Sequence, residues 1–138
     1  RDICAAAFQG RVACFDIATG SMSWSRDVSS SAGIDMDEKR VYVSDDKGTV
    51  HAFARDTGAS IWKQDKLFMR SLTRPVVVGR RVAVADFQGI VHLLDAETGE
   101  FVARVKTDGS PVHADPQRFG DGLLVQTRDG GLYAFSPR

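Results

Sequence analysis

The sequence has little of what most readily marks a function. Its two cysteines, Cys4 and Cys14, make neither a metal-ligand pattern nor a disulfide framework, and they are not adjacent in the chain. No Gly-x-Ser-x-Gly elbow marks an activated nucleophile. Purely apolar runs such as Pro75–Val78 are far too short to cross a bilayer as a helix. No window shows a convincing amphipathic helical stripe. Eighteen basic residues balance eighteen acidic ones, with no long block of either sign, so nothing electrostatic points to nucleic acid or an anionic membrane. No charged-then-apolar leader follows Arg1, and the opening residues read as the interior of a pattern already under way.

What the chain does have is self-similarity. Its 138 residues, 43% of them apolar and 26% charged, suit one globular domain of average size. Within it, Phe8-Gln9-Gly10, Asp46-Lys47-Gly48, Phe87-Gln88-Gly89 and Arg128-Asp129-Gly130 align on their glycines, at spacings of 38, 41 and 41 residues. Ten residues after each of the first three glycines comes a Thr-Gly pair ending at Gly20, Gly58 and Gly99. Four residues beyond it stand Trp24 and Trp62 in the first two copies and Ala103 in the third. Between these marks the chain alternates as strands do, with Ile3/Ala5, Val41/Val43, Val82/Val84 and Leu123/Val125 in matching columns before the aligned glycine. Odd and even offsets are both apolar in places, which predicts sheets covered on both faces.

A unit of about 40 residues with four short strands is the period of a β-propeller blade. The expected fold is all-β: a partial propeller of four-stranded antiparallel blades. It divides into a partial blade at 1–27, full blades at 28–66 and 67–107, and a partial blade at 108–138. In the third copy the strands are expected at Leu72–Val78, Arg81–Asp86, Ile90–Asp95 and Glu100–Lys106. About three and a half blades cannot close a ring of ordinary geometry, so the chain reads as the C-terminal part of a longer propeller whose raw edges invite self-association.

The run Asp16-Ile17-Ala18-Thr19-Gly20 followed by Trp24 resembles the repeat of pyrroloquinoline-quinone (PQQ) type propellers. The second copy lacks the Asp and the third lacks the Trp. The resemblance implies that Trp24 and Trp62 dock one blade on the next, with Gly20, Gly58 and Gly99 in the turns. Further segments narrow the match. Ala7-Phe8-Gln9-Gly10-Arg11-Val12, Ile61-Trp62-Lys63-Gln64, the stretch from Leu67 to Pro75, Gly89-Ile90-Val91-His92 and the ending from Asp129 to Phe135 are similar to the last blades of one family. That family comprises the propeller lipoproteins of the bacterial outer-membrane β-barrel assembly machinery. It implies a non-catalytic scaffold on the periplasmic side of the outer membrane, lipid-anchored through a cysteine outside this chain. Its partner would be the barrel-forming subunit, bound through that subunit's periplasmic domains. It also implies that the outer strand missing after the last repeat comes from the N-terminus of the longer protein.

The remaining candidates read mostly as structure. His51 and His92 share a repeat column with Ala13 and Tyr133, which marks a packing position. His113 lies near Asp115 without a nucleophile to complete a triad. Asp45-Asp46-Lys47-Gly48 lacks the spaced oxygen ligands and closing Glu of a calcium loop, and Asp16 and Asp95 suit side-chain bonding within hairpins. No catalytic residue, metal or cofactor is expected. Cys4 and Cys14 flank a hairpin whose register decides whether they face each other, and they read more naturally as two small core residues than as a disulfide. One connection breaks the polar pattern. From Lys66 to Arg74 it carries Leu67, Phe68, Met69 and Arg70, the residue types of an interface core. Either these four meet the partner, or Leu67, Phe68 and Leu72 seal the groove between two blades; Arg70 is expected to be exposed in both cases. The alternatives to the scaffold are a fragment of a PQQ-dependent dehydrogenase and a generic extracytoplasmic propeller binding module.

Overall fold

A computed structural model describes residues 2–7 and 10–136. Phe8 and Gln9 of the first aligned turn lie outside the described residues. The chain forms four antiparallel meanders, each a blade, and together they make a partial β-propeller. The first holds β1 (Asp2–Ala7), β2 (Arg11–Asp16) and β3 (Met22–Asp27). The second holds β4 (Ile34–Met36), β5 (Arg40–Ser44), β6 (Val50–Ala54) and β7 (Ser60–Gln64). The third holds β8 (Val76–Val78), β9 (Arg81–Ala85), β10 (Ile90–Asp95) and β11 (Phe101–Lys106), and the fourth β12 (Gln117–Phe119), β13 (Gly122–Gln126) and β14 (Leu132–Phe135). No helix occurs among the described residues.

Stacking explains why neighbouring residues of the central strands are buried alike. Val41 and Val43 of β5 join Val12, Cys14 and Trp24 in the core between the first and second blades. Tyr42, one step out of phase, joins Trp62, Val82 and Val84 between the second and third. Ala83 and Ala85 of β9 then turn to Val91, Leu123 and Val125 between the third and fourth. The second and third sheets therefore each contribute alternate residues to two cores, and full burial of a Val or Leu stabilises by about 1.5–3 kcal/mol. Both faces of their central strands β5, β6, β9 and β10 are largely apolar because neighbouring blades cover them.

Two tryptophans fasten the joints. Trp24 Nε1 donates to the Arg55 carbonyl at 2.8 Å, and Trp62 Nε1 donates to that of Ala96 at 2.9 Å. Their rings lie flat on the next blade's Thr-Gly turn, where a Cβ added to Gly58 or Gly99 would come within 2.5 or 2.4 Å of indole carbon. Two residues further along, the Gln64 amide donates to the Gly99 carbonyl and the Arg26 guanidinium to that of Gly58. Asp16 and Asp95 accept backbone N–H bonds from the two turn residues starting two positions later.

The register corrects the expectation for the cysteines. Cys4 pairs directly with Cys14 across β1 and β2, with Cα atoms 4.0 Å apart, and the two sulfurs form a disulfide. In every copy the hairpin is centred on the residue before the aligned glycine, as in Ser44↔Val50, Ala85↔Val91 and Gln126↔Leu132. Such an odd loop brings equidistant residues face to face on one side of the sheet. The third blade's inner strand also differs, starting at Val76 instead of Leu72. Pro75 has no N–H to give a ladder, while Thr73 bonds Ala85 through its own N–H and its hydroxyl oxygen.

Candidate functional site

The connection from β7 to β8 joins the two complete blades, and its four singled-out residues part company. Leu67 is 3% exposed and packs with the core of Tyr42, Val50 and Trp62, whereas Phe68 and Met69 are 64% and 68% exposed. Met69 and Ser71 take left-handed φ values of 61° and 53°. Non-glycine residues occupy that region at a cost, and they do so mainly where the surroundings dictate it. Here the dictating bonds are visible. Met69 N–H donates to the Lys47 carbonyl at 2.8 Å, and the Phe87 N–H donates to that of Arg70 at 2.9 Å. The neighbouring turns of both blades thus hold the connection while it turns two apolar side chains outward.

Arg70 is half-buried, not exposed. Its Nη1 lies 3.2 Å from Asp86 Oδ2 and 3.0 Å from Gln88 Oε1. Asp86 is itself fully buried, and the same Oδ2 sits 2.8 Å from His92 Nε2. Its other oxygen accepts the N–H groups of Gln88 and Ile90, which fixes the turn. Burial pushes the Asp86 carboxyl up, but the bonds from His92, Ile90 and Gln88 outweigh it and hold the group below its ordinary value. One blade earlier Asp45 repeats the arrangement with His51, Thr49 and Lys47, and its carboxyl is likewise depressed despite burial.

These His–Asp pairs were legible in the sequence but were missed. Asp45 and Asp86 share the column three residues before the aligned glycine, and His occurs three after it only in those two copies. Where the first column holds Ala7 or Thr127, the second holds Ala13 or Tyr133. The histidine is a turn clamp. Nδ1 of both rings is buried without a hydrogen-bond partner among the described residues.

The other candidates are not brought together. His113 is exposed, and Asp115 accepts from the Arg74 N–H instead. Asp46 accepts from the N–H and hydroxyl of Ser31. Asp2, Cys4 and Cys14 group donors of a metal-binding type, but the sulfurs are joined and Asp2 is bonded by Arg55.

The sequence profile of the family described as "Outer membrane protein assembly factor BamB" matches residues 1–64 and 67–138. The protein of that name from Burkholderia pseudomallei is 42% identical over 137 residues, covering 99% of this chain and 36% of the relative. The crystal structure of BamB from Moraxella catarrhalis superposes with a TM-score of 0.90 at 32% identity, over 96% of this chain and 39% of that one. A europium-containing methanol dehydrogenase shares the fold alone, with a TM-score of 0.63 at 20% identity over 78% of this chain and 23% of its own. The chain thus spans a little over a third of the length of these two BamB relatives.

Proposed function

The chain belongs to the family of the outer membrane protein assembly factor BamB, and on that premise we propose that it forms blades of a non-catalytic scaffold in outer-membrane protein assembly. The scaffold works on the periplasmic side of the outer membrane, tethered by a lipid on a part of the protein outside this chain. Its partner is the barrel-forming subunit of the assembly machinery, bound through that subunit's periplasmic domains. The observation that carries the reading is the outward pair Phe68 and Met69, on a connection between two complete blades whose backbone turns left-handed at Met69 and Ser71. A rigid ring that displays a few apolar loop residues is suited to binding, with affinity concentrated in a few side chains. Leu67 supports the surface from beneath, and Arg70 is its polar edge.

The test uses the full-length protein, immobilised and exposed to detergent-solubilised envelope proteins. Retention of the barrel-forming subunit, unchanged by added PQQ and calcium, is the expected result. Replacing Phe68 and Met69 by Ser should weaken that retention with the melting temperature unchanged. Saturable quinone uptake with no subunit retained would overturn the proposal in favour of a dehydrogenase fragment.

A further inference from the structure

The joint between the second and third blades differs from its two sister joints in a way the repeat makes measurable. At each joint the second residue of the Gly turn donates its N–H to a carbonyl of the incoming connection: Asp46 to Ser29, Phe87 to Arg70, Arg128 to Pro111. The accepting residues lie 41 apart in both steps, so the three joints are equivalent. The two residues before the acceptor are Asp27-Val28, Phe68-Met69 and Gly109-Ser110. Only the middle joint therefore carries large apolar side chains on both the connection and the turn, and Phe87 is 56% exposed. The backbone bond from Phe87 to Arg70 ties the two loops together, and Phe68, Met69 and Phe87 all stay outside the core clusters.

Charges of both signs surround this joint. Asp86 is buried beneath Arg70, and the carboxylate of Asp46 accepts from the N–H and hydroxyl of Ser31. Lys47 and Lys66 are exposed, as are Asp46 and Asp65. The Arg70 guanidinium uses Nη1 for Asp86 and Gln88, while its Nε and Nη2 donate to nothing among the described residues. A planar fork with spare donors, fixed by a buried carboxylate, is suited to a carboxylate acceptor.

We propose that Phe68, Met69 and Phe87 form one docking patch, with Arg70 as its anchored cationic edge, and that it takes a protein segment presenting an apolar side chain beside a carboxylate. The proposal rests on the scaffold reading and names the chemistry of its contact. Asp86 and His92 act through Arg70 as positioning residues, tying the patch to the blade interior.

The experiment measures binding of the full-length protein to the purified periplasmic domains of the barrel-forming subunit, at low and high salt. Phe87→Ser should weaken binding as Phe68→Ser does, by about tenfold or more. Ile17→Ser, an equally exposed apolar change on a turn at the opposite end of the blades, should leave it unchanged. Arg70→Gln should weaken binding and flatten its salt dependence; because it could also loosen the connection, Lys66→Gln tests the charge at an exposed side chain. If Phe68→Ser weakens binding while Phe87→Ser and both charge variants match wild type, the composite patch is wrong and the docking connection stands. If wild type fails to bind, the scaffold reading falls and the patch with it; if wild type binds and Phe68→Ser changes nothing, the patch falls while the scaffold reading stands.

Discussion

The guanidinium of Arg118 on β12 reaches past β8 to the carboxylate of Asp35 on β4, with Nη1 at 2.6 Å from Oδ2. The same nitrogen donates to the Val77 carbonyl at 3.2 Å, and Asp35 Oδ2 accepts the Val77 N–H at 2.8 Å. One ion pair thus straps the inner strands of three successive blades, each strand only three residues long. The partners are unequal, since the Asp35 side chain is 12% exposed and that of Arg118 53%. Asp35→Ala strands the Val77 N–H and should cost about 1–3 kcal/mol. Arg118→Ala removes a largely solvated charge and should cost under about 1 kcal/mol. Urea midpoints of the two variants check this, and equal losses would assign the stabilisation to the ion pair instead of the backbone bond.

The Trp62–Gly99 contact makes a second prediction, with an internal control. Gly99 and Gly20 have φ values of 77° and 74°, so alanine at either meets the same left-handed penalty. Only at Gly99 does the new Cβ also strike an indole ring, while at Gly20 nothing lies within 4 Å. Gly99→Ala should therefore destabilise the chain by about 1–3 kcal/mol more than Gly20→Ala. Differential scanning calorimetry of the pair tests it, and equal shifts would mean that the indole moves aside freely.

Much of this was readable from the repeat, because a repeat samples the same structural position several times. The column holding Val41 and Val82 is apolar in each copy, and in the last three it is buried between blades, whereas Ile3 in the first blade is exposed. Side-chain partnerships were harder. The disulfide depended on hairpin register, which the shared spacing of all four copies could have supplied. The turning-in of Leu67 and the turning-out of Phe68 depend on backbone bonds from Lys47 and Phe87, groups that no composition rule brings to residues 67–70. Phe87 escaped notice for the same reason. Its exposure beside Arg70 is a property of the joint, whereas its residue type suits a core equally well.

The Cys4–Cys14 disulfide predicts a thiol count and a stability difference. The unfolded, unreduced chain should show no free thiol, and the reduced chain should show two. Closing a loop between residues ten apart should stabilise the fold by roughly 2–3 kcal/mol relative to the reduced chain, by the loop-entropy argument. Comparing chemical denaturation with and without reductant measures it. A titratable thiol in the unreduced chain would return these positions to separate core residues.

The depressed carboxyls of Asp86 and Asp45 give the stability a defined pH dependence. In the unfolded chain an Asp takes up its proton near about pH 3.9. In the fold both groups titrate lower, because bonds from histidine and backbone N–H groups outweigh burial. Between the two values the unfolded chain binds more protons, so acidification favours unfolding. The stabilisation is fully present above the ordinary Asp range and is lost as the pH falls through the folded values. Asp86→Asn keeps an oxygen for the Gln88 and Ile90 N–H groups but cannot ionise, so it should be less stable than wild type at neutral pH. The gap between them should then narrow as the pH falls below about 4. Melting temperatures of the two proteins across this range decide the matter, since a gap that stays constant would show that Asp86 holds its turn by shape and not by charge.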